Sequence, residues 1–254
     1  MRRCKSTSTL LTRFTNNTLD GVNLFYQPLI PDGVLSLDAT ESKHATRVLR
    51  KKAGDSIQIT DGKGKFYRAR LTRADTLKSL FSIEETITEP IKTFSVHVAI
   101  APTKNIDRLE WFVEKTVEVG IDEITLITCK HSERSHPKLE RLEKIAISAM
   151  KQSLKATLPR ISGPVSFSEM INTSHHTQRF IAHVDLENHV HLKHAAIPGS
   201  QYIILIGPEG DFSGNEIELA MNQGFRKVSL GTSRLRTETA GLAACHILNL
   251  VNTP

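Results

Sequence analysis

No stretch of this chain approaches the roughly 20 consecutive apolar residues of a membrane-spanning helix, so a helical membrane protein is excluded. Cysteine is scarce: three residues, at 4, 129 and 245, odd in number and widely spaced. There is no CxxC pair, so neither a zinc knuckle nor a disulfide framework is indicated. Cys129 and Cys245 lie in apolar runs and are expected to be buried small hydrophobes, which suits a reducing cytoplasm. The GxGxxG fingerprint of dinucleotide sites and the GxxxxGK[ST] of P-loops are both missing. No internal repeat or low-complexity tract is visible. His183, His189, His191 and His194 cluster loosely, but no cysteine or paired carboxylate completes a ligand spacing, so no metal site is expected.

What is present begins with length and charge. A chain of 254 residues, with 39% hydrophobic and 24% charged residues, fits one large or two smaller globular domains. The formal charge of +6 is uneven. Residues 1–90 hold 15 Lys/Arg against 10 Asp/Glu, a net of +5, and the remaining residues supply +1. A positive field confined to one part of a chain favours a polyanion, most often a nucleic acid.

Residues 1–21 stand apart, rich in Arg, Ser and Thr and with no acid before Asp20. They read as a disordered extension, either of transit-peptide type or upstream of a natural start near Val22. From 22 to 90 short alternating runs recur at Val34–Leu37, Ser56–Thr60, Phe66–Leu71 and Leu80–Ile87, with one or two helical turns around Ser42–Leu49. Turn signals at Pro31-Asp32-Gly33 and Asp61-Gly62-Lys63-Gly64 separate them. So many short strands predict a small β-barrel. Its run of basic residues between Lys43 and Arg73 is opposed within that window by Asp55 and Asp61 alone. A basic barrel suits RNA.

Glu89-Pro90 marks a junction, after which strands and helices alternate. Strands are expected at Phe94–Ile100, Ile124–Cys129, Phe180–Val184, Tyr202–Gly207 and Lys227–Gly231. Helices are expected at Asp107–Val119, closed by Gly120, and at Pro137–Leu154, Ser213–Gln223 and Glu238–Val251. Ser213 and Glu216 form a capping-box pattern. Such alternation predicts an α/β domain with a mainly parallel sheet.

Two loops stand out in this second domain. Ile206-Gly207-Pro208-Glu209-Gly210-Asp211-Phe212-Ser213 and Leu230-Gly231-Thr232-Ser233-Arg234-Leu235-Arg236-Thr237-Glu238-Thr239-Ala240 each join an apolar strand to a helix. Loops at the carboxyl edge of a parallel sheet are where α/β proteins place ligands. Pro208 lacks an amide and Glu209 repels phosphate, so a neutral or cationic ligand is expected. A strand-to-helix turn using glycine for positive φ is the structural alternative. In the second loop, Arg234, Arg236 and Glu238 are expected to be partly buried and paired.

The segments IGPEGDFSGNEI and LGTSRLRTETA resemble the ribosomal RNA small subunit methyltransferase E family. Further elements agree over residues 22–254: His44 with Arg47-Val48-Leu49-Arg50, then Lys104, Asp107–Glu110, Glu114-Lys115 through Gly120, Ser132-Glu133-Arg134-Ser135, and Ala149–Ser153. The departures are Asp211, where the family has a second glycine, Val119 for a leucine, and Leu154-Lys155 for a Gly-Arg pair. The resemblance implies S-adenosylmethionine-dependent methylation of N3 of a uridine in 16S rRNA. It also implies an N-terminal PUA-like barrel (22–90), a C-terminal SPOUT-type domain with a trefoil knot (91–254), and a cytoplasmic homodimer with the small ribosomal subunit as partner. Leu248 and Val251 become candidates for the dimer face. Leu205, Gly207, Glu209, Gly210, Leu230, Gly231 and Leu235 would hold the cofactor. Arg236 would stabilise negative charge on the uracil, oriented by Glu238. His44, Arg47, Arg50, Lys104 and Arg134 would bind RNA. The alternatives are a non-catalytic RNA-binding assembly factor or a related enzyme acting on another base.

Overall fold

The computed structural model describes residues 23–133, 137–183 and 190–253. Residues 1–21, Arg134 and His189 lie outside them. The chain divides into two compact units at Ile91/Lys92, and residues 150–158 return to the first.

The first unit holds a four-stranded sheet, β1 (Leu24–Tyr26), β2 (Ser56–Thr60), β3 (Lys65–Arg73) and β4 (Leu80–Thr88), in that order. β1 runs parallel to β2, and the later pairs are antiparallel. Period-two alternation turns Ile57, Ile59, Ala69 and Leu71 inward, where they pack with Phe25, Leu37 and Phe81. The expected strand at Val34–Leu37 is reduced to a single bridge, Ser36 to Leu80. Asp38 ends it by capping α1 (Ala39–Lys43), its carboxylate accepting the Glu41 N–H at 2.8 Å. α1 continues into a π-helical turn, His44–Val48. Residues 150–158 are stitched in by the backbone: Gly64 N–H donates to Ala156 O at 3.0 Å, and Leu158 N–H to Gly62 O at 2.9 Å. Lys151 forms an ion pair with the buried Glu41.

The second unit alternates β5 (Ser95–Ile100), α2 (Ile106–Val119), β6 (Glu123–Thr128), α3 (Leu139–Gln152, its last residues in the first unit), β7 (Arg160–Ser166), α4 (Phe167–Thr173), β8 (Gln178–Ala182), α5 (Leu192–Ala195), β9 (Gln201–Ile206), α6 (Gly214–Asn222), β10 (Arg226–Val228) and α7 (Thr237–Val251). Its six strands lie in the order β10-β8-β9-β5-β6-β7, every pair parallel. Both faces are covered, so β9 reads as an unbroken apolar run, with Tyr202 through Ile206 buried. α2 starts at Asn105, whose side chain accepts the Asp107 N–H at 2.9 Å, and stops at Gly120, φ 113°. Ser213 N–H donates to Glu216 at 2.8 Å, which fixes the start of α6.

β7 and α4 have no counterpart in the sequence-based expectation. Gly163 and Pro164 interrupt the strand pattern. β7 is an edge strand, the place where proline is tolerated. Gly163 is required there: it has φ 102°, and a Cβ would lie 2.4 Å from the Leu126 carbonyl oxygen. Among the described residues no helix is long and apolar enough to cross a membrane.

Candidate active site

Because all six strands are parallel, the loops that follow them emerge at one edge. The loop after β9 and the loop after β10 are those singled out above, with β8 between their strands. Thr237 Oγ1, at the first position of α7, donates to Gly207 O at 3.1 Å and ties the second loop to the first. α7 is held in place by Gly241, where a Cβ would meet the Phe112 ring at 2.5 Å and Ile100 at 3.0 Å.

The first loop differs from the glycine-turn alternative in one respect. Its left-handed residue is Asp211, φ 61°, and neither Gly207 nor Gly210 has positive φ. Those two glycines serve close packing. A Cβ on Gly207 would sit 3.1 Å from the Phe212 ring, and one on Gly210 would sit 3.2 Å from His131. Aspartate tolerates the left-handed region because its short side chain bonds locally: Oδ1 accepts the Phe212 N–H at 2.7 Å. Glu209 is exposed and pairs with Arg108 of α2 at 3.1 Å. In the second loop Gly231 has φ 132°, with open space where a Cβ would project.

The other cofactor candidates divide by burial. Leu230 and Leu235 are half-buried in the second loop. The Leu205 side chain is fully buried in the sheet core and its backbone lies within β9, flanked by β5 and β8, so the structure does not bring Leu205 to the loop edge. Arg234 and Arg236 are exposed, with no ion-pair partner among the described residues, and Glu238 is buried at 6% exposure. The expected Arg236–Glu238 pair is therefore absent. Arg236 occupies the N-cap position with extended backbone, which carries its side chain outward, while Glu238 enters the first turn of α7 facing in. Glu238 Oε2 is buried and has no hydrogen-bond partner, an arrangement that a ligand donor would relieve.

These features fit S-adenosylmethionine. The unpartnered Glu238 oxygen suits a ligand that donates a hydrogen bond, and the carboxylates of Glu209 and Asp211, engaged by Arg108 and His183, disfavour a phosphate. Gly231, with open space where a Cβ would project, allows backbone to approach a ligand.

The RNA candidates are also sorted by the structure. Arg68, Arg70 and Arg73 are engaged by Glu85, Glu84 and Asp75 across or beside the β3–β4 pair. These acids lie beyond the sequence window in which the basic run looked almost unopposed. Arg47 and Arg50 remain exposed without an ion-pair partner among the described residues, and Arg50 has φ 54°. His44 is half-buried, its ring edge-on to Phe25 at 6.0 Å. Lys104 is exposed and lies 3.7 Å from Glu133. Arg134 is outside the described residues.

Cys129 and Cys245 are buried. Burial pushes the Cys129 thiol up to about 12, aided by the nearby Glu216 carboxylate, so it is an inert packing group. Among the described residues no three His, Cys, Asp or Glu converge on a metal-sized site. The His191 ring instead caps α5, accepting the Lys193 N–H at 3.1 Å. Sequence reasoning missed Thr237, Arg108, His131 and His183 as loop-holding residues. For His183 the available signal was its position immediately after a strand at the ligand edge.

Comparison with known proteins agrees with this geometry. The family model described as RNA methyltransferase domain matches residues 90–249, and that described as RNA methyltransferase PUA domain matches residues 37–84. The chain is 30% identical to the ribosomal RNA small subunit methyltransferase E of Treponema pallidum, covering 89% of each. A probable rRNA-methyltransferase from Porphyromonas gingivalis is 45% identical, with TM-score 0.84 over 90% of this chain and 98% of that one. The ribosomal RNA small subunit methyltransferase E from Neisseria gonorrhoeae, crystallised with S-adenosyl methionine, is 26% identical, with TM-score 0.78 over 91% and 98%.

Proposed function

The chain belongs to the RNA methyltransferase family, in its ribosomal RNA small subunit methyltransferase E branch, and from that premise we propose that it methylates N3 of a uridine in 16S rRNA using S-adenosylmethionine. The observation that carries this reading is the joining of the two glycine loops by Thr237 and Gly207 beside a buried carboxylate oxygen that lacks a donor.

When bound, the cofactor supplies an electrophilic methyl group on a sulfonium sulfur. The backbone of Gly207, Gly210, Leu230, Gly231 and Leu235 would form the walls that hold it. Glu238, whose buried Oε2 has no hydrogen-bond partner, would accept a donor of the bound cofactor, while Glu209 holds the first loop to α2 through Arg108. Holding nucleophile and methyl group in line supplies much of the acceleration. Uracil N3 is a nucleophile only as its proton passes to solvent water, and charge then builds on the flanking carbonyl oxygens. Arg236, exposed at the mouth of the second loop, donates to those oxygens as the charge develops. Arg47 and Arg50 bind RNA phosphates in the first unit, and His44, Lys104 and Arg134 are further candidates for RNA contact. The target base leaves its stack to reach N3.

We also read the protein as a cytoplasmic homodimer. Support comes from apolar residues left exposed on the paired helices α2 and α7, Trp111 at 41% and Leu250 at 50%. Leu248, expected at a dimer face, is instead fully buried in the core of its own unit. The substrate is tested by mass mapping of 16S rRNA from a deletion strain, with and without the restored gene. A single methyl mark on one uridine, dependent on the gene, is the expected result. An unchanged map would overturn the assignment, and calorimetry with S-adenosylmethionine would then separate a pure RNA binder from an enzyme with another target.

A further inference from the structure

The end of β8 is joined to the first glycine loop by a side-chain pair that the chemistry above leaves unused. His183 Nδ1 lies 2.8 Å from Asp211 Oδ2. The histidine side chain is 19% exposed and the carboxylate 38%, so water reaches the pair only partly. Asp211 is held from three directions. Its Oδ1 accepts the Phe212 N–H at 2.7 Å, and its carbonyl faces the His131 ring nitrogen at 3.1 Å. Its backbone is left-handed at φ 61°, a conformation glycine would adopt freely. The side chain is thus kept at a position where it strains the backbone.

His183 is anchored on its other side too. Its N–H donates to Val228 O, at the end of β10, at 3.4 Å. One residue is therefore bound both to the loop after β9 and to the strand that leads into the second loop. The carboxylate can only accept, so Nδ1 is the ring nitrogen that donates in this contact.

We propose that His183 and Asp211 form a positioning pair that holds the two glycine loops at the separation the cofactor needs, so that cofactor affinity depends on their bond. The inference rests on reading those loops as the S-adenosylmethionine site. A residue whose only task was to shape the turn would be replaceable by glycine; a residue that ties the turn to β8 would not.

Calorimetry with S-adenosylmethionine on the full-length protein tests this. Asp211→Gly keeps the left-handed turn and removes the bond to His183 together with the one from the Phe212 N–H. His183→Gln withdraws the donor from the Nδ1 position. Each is expected to weaken binding about tenfold, as loss of a hydrogen bond to a charged group does. The double variant should be no weaker than Asp211→Gly alone, because the bond that the two side chains share is already lost in that single variant. His183→Asn, which places an amide donor near the Nδ1 position, should recover most of the affinity. In turnover assays the rise in KM should exceed the fall in kcat. Wild-type affinity in Asp211→Gly, or additive losses in the double variant, would overturn the proposal. If the unaltered protein failed to bind S-adenosylmethionine, the functional reading itself would fall. The pair would then be judged by hydrogen exchange at Gly210–Phe212 in the ligand-free protein: faster exchange in His183→Gln, which leaves the Asp211–Phe212 bond in place, supports it, and equal exchange refutes it.

Discussion

Lowering pH should destabilise the second unit through one buried imidazole, His97 on β5. It is 3% exposed, with Nε2 at 2.9 Å from Thr125 Oγ1 and Nδ1 at 3.3 Å from His176 Nε2. Ser162 extends the chain from Thr125, and Ser174 extends it from His176. Burial, then the neighbouring His176 and Arg160, push the His97 pKa from 6.5 down to about 3. Glu123, 3.8 Å away, pulls the other way, but Arg160 already engages that carboxylate. The folded pKa is depressed, so in the interval between the two values the unfolded chain binds a proton that the folded protein refuses. Stability is therefore complete above pH 6.5 and falls as the pH drops below it. By pH 5, 1.5 units under the unfolded value, the loss is about 2 kcal/mol at 1.36 kcal/mol per unit. That is a large fraction of a typical total of about 5–15 kcal/mol. His176, whose pKa is also lowered by burial, adds to the loss with the same sign. Urea denaturation at pH 7.5 and pH 5, on wild type and His97→Gln, measures the difference in slope. The variant should lose about 2 kcal/mol less than wild type across this interval. Equal pH dependence in the two proteins, or a His97 ring that titrates above pH 5 by NMR, would refute the reasoning.

Arg236→Ala should lower kcat on the order of a hundred-fold, as removal of an electrostatic stabiliser does, while calorimetry still detects cofactor binding; wild-type turnover would exclude the role given to Arg236. Arg47→Ala and Arg50→Gly should each reduce the slope of log affinity for RNA against log salt by about one, and Arg50→Gly also relieves a left-handed backbone, so it should not lower Tm. Gly241→Ala gains about 1 kcal/mol in helix propensity but drives a Cβ into the buried Phe112 ring at 2.5 Å. Overpacking of about 1–3 kcal/mol outweighs that gain, and thermal melts should show a lower Tm. Leu250→Glu should shift sedimentation toward monomer without unfolding the chain, because Leu250 is half exposed where Leu248 is core.

Much of the second unit was legible because its signals are local. Asn105 and Gly120 bracket α2 within one amphipathic run, and Ser213 with Glu216 starts α6 three residues apart. The unbroken apolar run of β9 indicated a strand covered on both faces, and the two glycine loops followed as its ligand edge. β7 was illegible because Gly163 and Pro164 erase the pattern; only the approach of Leu126 and the edge position explain them. The Val34–Leu37 run alternated like a strand, yet capping by Asp38 allowed it a single bridge.

By itself the sequence determined the alternation of elements, the two loops, the basic character of the first unit and the family resemblance, since each depends on residues adjacent or one helical turn apart. Tertiary structure decided which charges remain available. Arg68, Arg70 and Arg73 are engaged by acids brought alongside β3, and Arg47 and Arg50 stay exposed without an ion-pair partner among the described residues. It also turned Arg236 outward and Glu238 inward on the same helix start, and Leu248 inward and Leu250 outward at its end. Above all it placed β8 beside both β9 and β10, so that His183 meets Asp211 across 28 residues of chain. Strand order sets such contacts, and strand order is a property of how the whole sheet closes its core.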